Sequence, residues 1–176
     1  MNFKVGIAQY VLGNYTSKDL PKLALDSLES GMEAPSLLIL AGLVDGWEIE
    51  NYLRLTLKEL KLSLPSEKEA GLEVIEYYLN KIINNESDPE EEIKNIIDQV
   101  LNKVNYSHQN EKYAYEYISF DKIYGLYWAI DDFKNPLVSV ITSREKGVLK
   151  CKNKIIVESK KLLSEFHNVR ERILNF

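Results

Sequence analysis

Residues 24–43, ALDSLESGMEAPSLLILAGL, constrain the fold more than any other stretch of the chain. Leu20, Leu23, Ala24 and Leu28 recur at the three- and four-residue spacing of one helix face. Gly31 then supplies a helix stop, because glycine accepts the left-handed conformation that closes a last turn. Pro35 stands where a first helical residue needs no N–H. Residues 36–44 follow as a short, nearly all-apolar and therefore buried helix, broken by Asp45-Gly46. Two helices joined by so short a turn must pack on each other or on further helices. The expected class is all-α, and this stretch carries no chemistry.

The same periodicity runs through most of the chain. Residues 1–16 read as a first helix, and Ser17, with Asp19 behind it, is the expected N-cap of the second. Ile49, Tyr52, Leu53, Leu57 and Leu60 mark a helix ending before Pro65. Ser66 and Glu69 have capping-box spacing, and Ala70, Val74, Ile75, Tyr78, Leu79 and Ile82 carry that helix to Asn84-Asn85. Ser87, Asp88, Pro89, Glu90 and Glu91 form a strong start signal that combines a cap, a proline and first-turn acids. The stripe Ile93, Ile96, Ile97, Val100, Leu101 and Val104 follows. Ser119 is the expected cap of a helix holding Phe120, Ile123, Tyr124, Tyr127 and Ile130, stopped by Asn135-Pro136. The last and longest helix holds Ile155, Ile156, Ser159, Leu162, Leu163, Phe166, Val169 and Ile173 on one face. Two stretches stay open: alternating tyrosines at 113–118 and β-branched residues at 137–142 fit short strands as well as helix ends. The expected architecture is a single domain over residues 1–176, an irregular helical bundle or short helix-pair array, with a sub-boundary in the polar loop 105–112.

Composition sets the remaining bounds. A chain of 176 residues buries enough surface to need no disulfide or metal, and its one cysteine, Cys151, fits a reducing cytoplasm. The longest apolar run, 37–44, is too short to span a bilayer, and the N-terminus lacks a small-residue cleavage pattern. Net charge is −5, but residues 141–176 carry nine Lys/Arg against four Glu. The acidic remainder argues against nucleic acid as the main ligand.

Catalytic and cofactor motifs are missing: there is no glycine-rich phosphate loop, no nucleophile elbow and no His-Glu-x-x-His. No cofactor is expected. His108 and His167 lie 59 residues apart without sequence-near metal partners and read as surface histidines. Asp131-Asp132 follow an aromatic stretch, yet adjacent helical residues point about 100° apart and do not share a face. Cys151 between Lys150 and Lys152 reads as a free structural or surface thiol. Two features point to a protein partner. Glu86, Asp88, Glu90, Glu91 and Glu92 form an acidic run that satisfies a helix N-terminus and also offers a patch for a basic partner. Six of the eleven tyrosines, among them Tyr113, Tyr115, Tyr117, Tyr124 and Tyr127, fall between residues 106 and 127, and tyrosine is enriched at interfaces.

The positions Ala24, Leu25, Leu28, Gly31, Pro35, Ser36, Leu37, Leu40, Ala41, Gly42 and Leu43 resemble a pattern of bacterial helical families of unknown function, some of which resemble immunity proteins of toxin systems. The resemblance is strong over about twenty residues and extends weakly through the following helix and to 120–133. It implies a cytoplasmic, non-catalytic protein that acts by binding another protein, in the sharper form an immunity-type inhibitor of a toxin. It brings no catalytic residues. Against it stand a small helical enzyme or small-molecule binder with a pocket near Tyr127, Trp128, Asp131 and Asp132, and a self-associating structural protein.

Overall fold

A computed structural model describes residues 2–44, 46–106, 113–138 and 143–175. Among these residues there are ten α-helices and no strand, as an all-α chain requires. The chain falls into two compact units, Met1–Val74 and Ile75–Phe176, divided inside one helix.

The first unit opens with α1 (Phe3–Val11), whose N-cap Asn2 accepts a hydrogen bond from the Val5 amide. A 3₁₀ turn (Ser17–Asp19) leads into α2 (Leu20–Glu29), followed by α3 (Pro35–Ala41) and α4 (Gly46–Glu59). Helices α2, α3 and α4 pack in sequence, and α1 lies on α2. Their core joins Phe3, Ile7, Leu20, Leu23, Leu37, Leu40, Ile49, Leu53 and Leu57. Gly6 is the close approach of α1 to α2: a Cβ there would sit 2.3 Å from Leu23 Cδ1.

Two sequence expectations change here. The cap of the second helical segment is Thr16, not Ser17: the Asp19 carboxylate accepts from the Thr16 amide at 2.7 Å and hydroxyl at 2.8 Å, one residue earlier than expected. Helix α3 ends at Ala41, and it is not wholly buried. Leu37 and Leu40 are in the core, whereas Leu38 is 67% exposed and Val44, beyond the helix, 91%. Seven residues present one stripe to α2 and α4, and the opposite face meets solvent. Gly31 does stop α2, at φ 90°. Pro35 does open α3.

Helix α5 (Glu67–Ile83) begins with the expected capping box, Ser66 with Glu69, and carries buried residues over more than one face, among them Leu72, Val74, Ile75, Leu79 and Ile82. In the second unit, α6 (Pro89–Ile96) is capped by Asp88, which accepts from the Glu90 amide, and it relaxes into a π turn (Ile97–Leu101). Ile93, Ile96, Val100 and Val104 are buried. Next come α7 (Ala114–Tyr117), α8 (Asp121–Lys134), α9 (Arg144–Ser164) and α10 (Phe166–Leu174). Helices α8 and α9 form the main pair, and α6 packs on both. Gly147 lets them meet: a Cβ there would lie 2.4 Å from the Phe133 ring.

The strand allowed for 113–118 is a helix instead. A four-residue α7 turns on the Glu116 carboxylate, which accepts from the Tyr113 amide. No neighbouring strand exists among the described residues, and an unpaired strand would leave its backbone polar groups unsatisfied. For 137–142, Leu137 and Val138 lie in a turn, and 139–142 fall outside the described residues. Ser119 is not a helix cap: it has φ 59°, and its hydroxyl accepts from Arg172 at 3.0 Å. The last helical segment starts earlier than its apolar stripe, at Arg144, and breaks at Glu165. The stripe survives the break, because Cys151, Ile155, Ser159, Leu162, Phe166, Val169 and Ile173 are all buried. The loop 105–112, where a sub-boundary was expected, lies within the second unit's range, and its residues 107–112 fall outside the described ones.

Candidate functional site

The acidic run opens α6 and is largely occupied from within. Lys152 of α9 reaches Asp88 at 2.5 Å and Glu90 at 3.3 Å. Lys134 of α8 pairs with Glu90, and Lys81 of α5 with Glu92. Glu92 is only 1% exposed. Burial pushes its carboxyl up, but hydrogen bonds from Lys81 and Asn95 outweigh that and hold it below the usual carboxylate range. Asp88 is held low in the same way, burial opposing and Lys152 with the Glu90 amide prevailing. Glu86 and Glu91 remain exposed. The run is therefore mainly a clasp joining α6 to α5, α8 and α9.

The tyrosines do come together. Tyr113 stacks on Tyr115 with ring centroids 5.3 Å apart and planes 7° apart, and Tyr115 stacks on Tyr124 at 4.4 Å and 11°. Tyr124 meets Trp128 edge to face at 6.1 Å, and Trp128 meets Tyr127 at 5.5 Å. Five rings from α7 and α8 thus form one continuous ladder. On α8, residues 124 and 128 are one turn apart, which is what aligns the stack. Yet Tyr113 is 69% exposed and Trp128 49%. Partial burial, with Glu116 and the neighbouring tyrosines, pushes the Tyr115 phenol up. Burial and the carboxylates of Asp98, Glu90 and Asp131 do the same at Tyr127, against Lys134. The Tyr117 carbonyl accepts from Arg172 at 2.5 Å.

Beside the ladder, α8 and α9 enclose an open groove of about 910 Å³. Its apolar lining is Gly125 and Leu126 from α8 and Leu149 and Val157 from α9. Four lysines, Lys122, Lys146, Lys150 and Lys154, share it with a single acid, Glu158. These lysines of α9 belong to the basic segment 141–176. Their spacing at 146, 150 and 154 was visible, but the α8 residues opposite were not, because they come from a separate helix.

Asp131 and Asp132 are exposed on α8. Neither they nor Tyr127 or Trp128 line this groove or the two smaller hollows that share Leu149, or Lys122 and Glu158, with it. Among the described residues no three His, Cys, Asp or Glu side chains group as a metal site would require. His167 lies exposed in the first turn of α10, 3.2 Å from Glu171, as a surface histidine. His108 falls outside the described residues. Cys151 is buried and free. No helix among the described residues is long and apolar enough to cross a membrane. No family model matches the chain, and neither a curated protein nor a solved structure was found to match it.

Proposed function

We propose that this protein acts without catalysis, by binding another protein through the aromatic ladder of α7 and α8. The observation that carries the reading is the exposure of Tyr113 and Trp128, one at the end of the ladder and one inside it, on rings that already hold each other in place. Rings fixed by stacking lose little side-chain freedom on association, and Tyr and Trp dominate binding energy at interfaces. In the acidic run Asp88, Glu90 and Glu92 are paired with lysines of this chain, which leaves exposed Glu86 and Glu91 as a lesser patch for a basic partner. In the sharper form the partner is a toxin and the protein its immunity-type inhibitor, which the resemblance of residues 24–43 supports. The test is quantitative capture from cells that express the protein, comparing wild type with Tyr115→Ala/Trp128→Ala. One stoichiometric partner, lost in the variant while its helical circular dichroism is kept, is the expected result. Equal capture by both proteins overturns the ladder as the contact, and no partner in either overturns the reading.

A further inference from the structure

We infer that the groove between α8 and α9 receives an acidic amphipathic helix of the partner protein. The inference rests on the protein-binding reading above and names the second contact and its chemistry. Lys146, Lys150 and Lys154 follow one another at every fourth residue of α9. Like charges at that spacing repel and weaken a helix by a few tenths of a kcal/mol per pair, so their mutual arrangement does not stabilise α9. On the same helix, Lys152 is held by Asp88 and Glu90. The groove lysines have no ion-pair or hydrogen-bond partner among the described residues, and neither has Lys122 across from them. Between these cations Leu149 is 60% exposed and Val157 63%.

An apolar strip bordered by unpaired cations calls for an occupant with the opposite pattern. Lys146 and Lys154 are eight residues apart, roughly 12 Å along the helix axis. A helix lying in the groove with carboxylates at every third or fourth position matches that row, while its apolar face covers Leu149 and Val157; this is the helix-in-groove mode of recognition. A nucleic acid backbone would satisfy the lysines but leave Leu149 and Val157 exposed.

The probe is a synthetic, end-capped helical peptide of sixteen residues with leucines on one face and glutamates flanking them. Its control has lysine in place of every glutamate. Binding to the full chain is read by fluorescence anisotropy. The expected result is that wild type prefers the acidic peptide at least tenfold, with affinity falling as salt rises. Lys150→Glu/Lys154→Glu should reverse the preference. Gly125→Trp should weaken the acidic peptide tenfold or more, since a Cβ at Gly125 meets nothing within 4 Å and the ring would fill the groove without disturbing the core. No preference in wild type, or equal binding by both variants, overturns the inference. So does oleate or duplex RNA displacing the peptide at lower concentration, or a wild-type dimer that the lysine variant abolishes. These results are separable from the ladder test: a partner still captured through Tyr115 and Trp128 leaves the protein-binding reading standing while the groove fails.

Discussion

Tyr106 is fully buried, and its hydroxyl has no hydrogen-bond partner among the described residues. Burial drives the phenol far above its ordinary range, only weakly opposed by Arg170. An orphaned buried hydroxyl costs about 1–3 kcal/mol, so Tyr106→Phe should raise stability by about 1 kcal/mol in urea unfolding at pH 7. The sign with pH follows. A folded pKa raised above the unfolded value near 10 means stability that is complete below about pH 10 and lost as pH rises further. The advantage of Tyr106→Phe should therefore widen above pH 10. Two glycines make a second residue-scale test. At Gly147 a methyl would enter the Phe133 ring, so Gly147→Ala should cost about 1–3 kcal/mol despite the better helix propensity. At Gly125 nothing stands within 4 Å, and Gly125→Ala should stabilise by about 0.5–1 kcal/mol. Both glycines sit inside helices, and sequence alone gives no ground for opposite signs. Chemical denaturation of the pair distinguishes them.

At the scale of elements, two helix ends are closed by a side chain of the helix that follows. The Arg144 guanidinium donates to the carbonyls of Phe133 at 2.9 Å, Asn135 at 2.5 Å, Pro136 at 3.3 Å and Val138 at 2.8 Å. It thus binds the C-terminal turn of α8 to the start of α9. A lysine has the charge but not the planar fork, so Arg144→Lys should cost about 1–2 kcal/mol in thermal or chemical unfolding. Glu59 of α4 likewise closes α3, accepting from the Ser36 amide at 3.0 Å and hydroxyl at 2.5 Å, where Ala34 offers no cap of its own. The Lys81–Glu92 pair ties α5 to α6. Lys81→Met leaves a buried carboxylate alone and should cost about 2 kcal/mol at pH 7. Because Glu92 is held below its unfolded value, its contribution is present above about pH 4 and disappears as pH falls through the folded pKa. The gap between Lys81→Met and wild type should therefore close on acidification.

Across the whole molecule, protection from hydrogen exchange should follow burial. The amides between Leu72 and Ile82, in a helix buried over several faces, should exchange most slowly, and those of α7, a single turn without a buried residue, fastest. Slow exchange in α7 would show that the ladder orders more than its own helix turn. Sequence alone determined that the chain is all-α, where Gly31 and Pro35 punctuate it, and that Ser66 and Asp88 cap their helices, because these are effects of residues within four positions of one another. It also marked the tyrosines that stack, since Tyr124 and Trp128 stand one helical turn apart. It left residues 113–118 open between strand and helix end, because alternation over so short a stretch fits either period and only a neighbouring strand would have decided for β. Only the tertiary structure decided which charges are spent and which are free. Lys152 and Lys154 differ little in sequence, yet one is held by Asp88, 64 residues earlier, and the other faces a groove whose far wall is α8. Pairing acts through space over a few ångströms, and the residues that meet there are fixed by helix packing, not by their order along the chain.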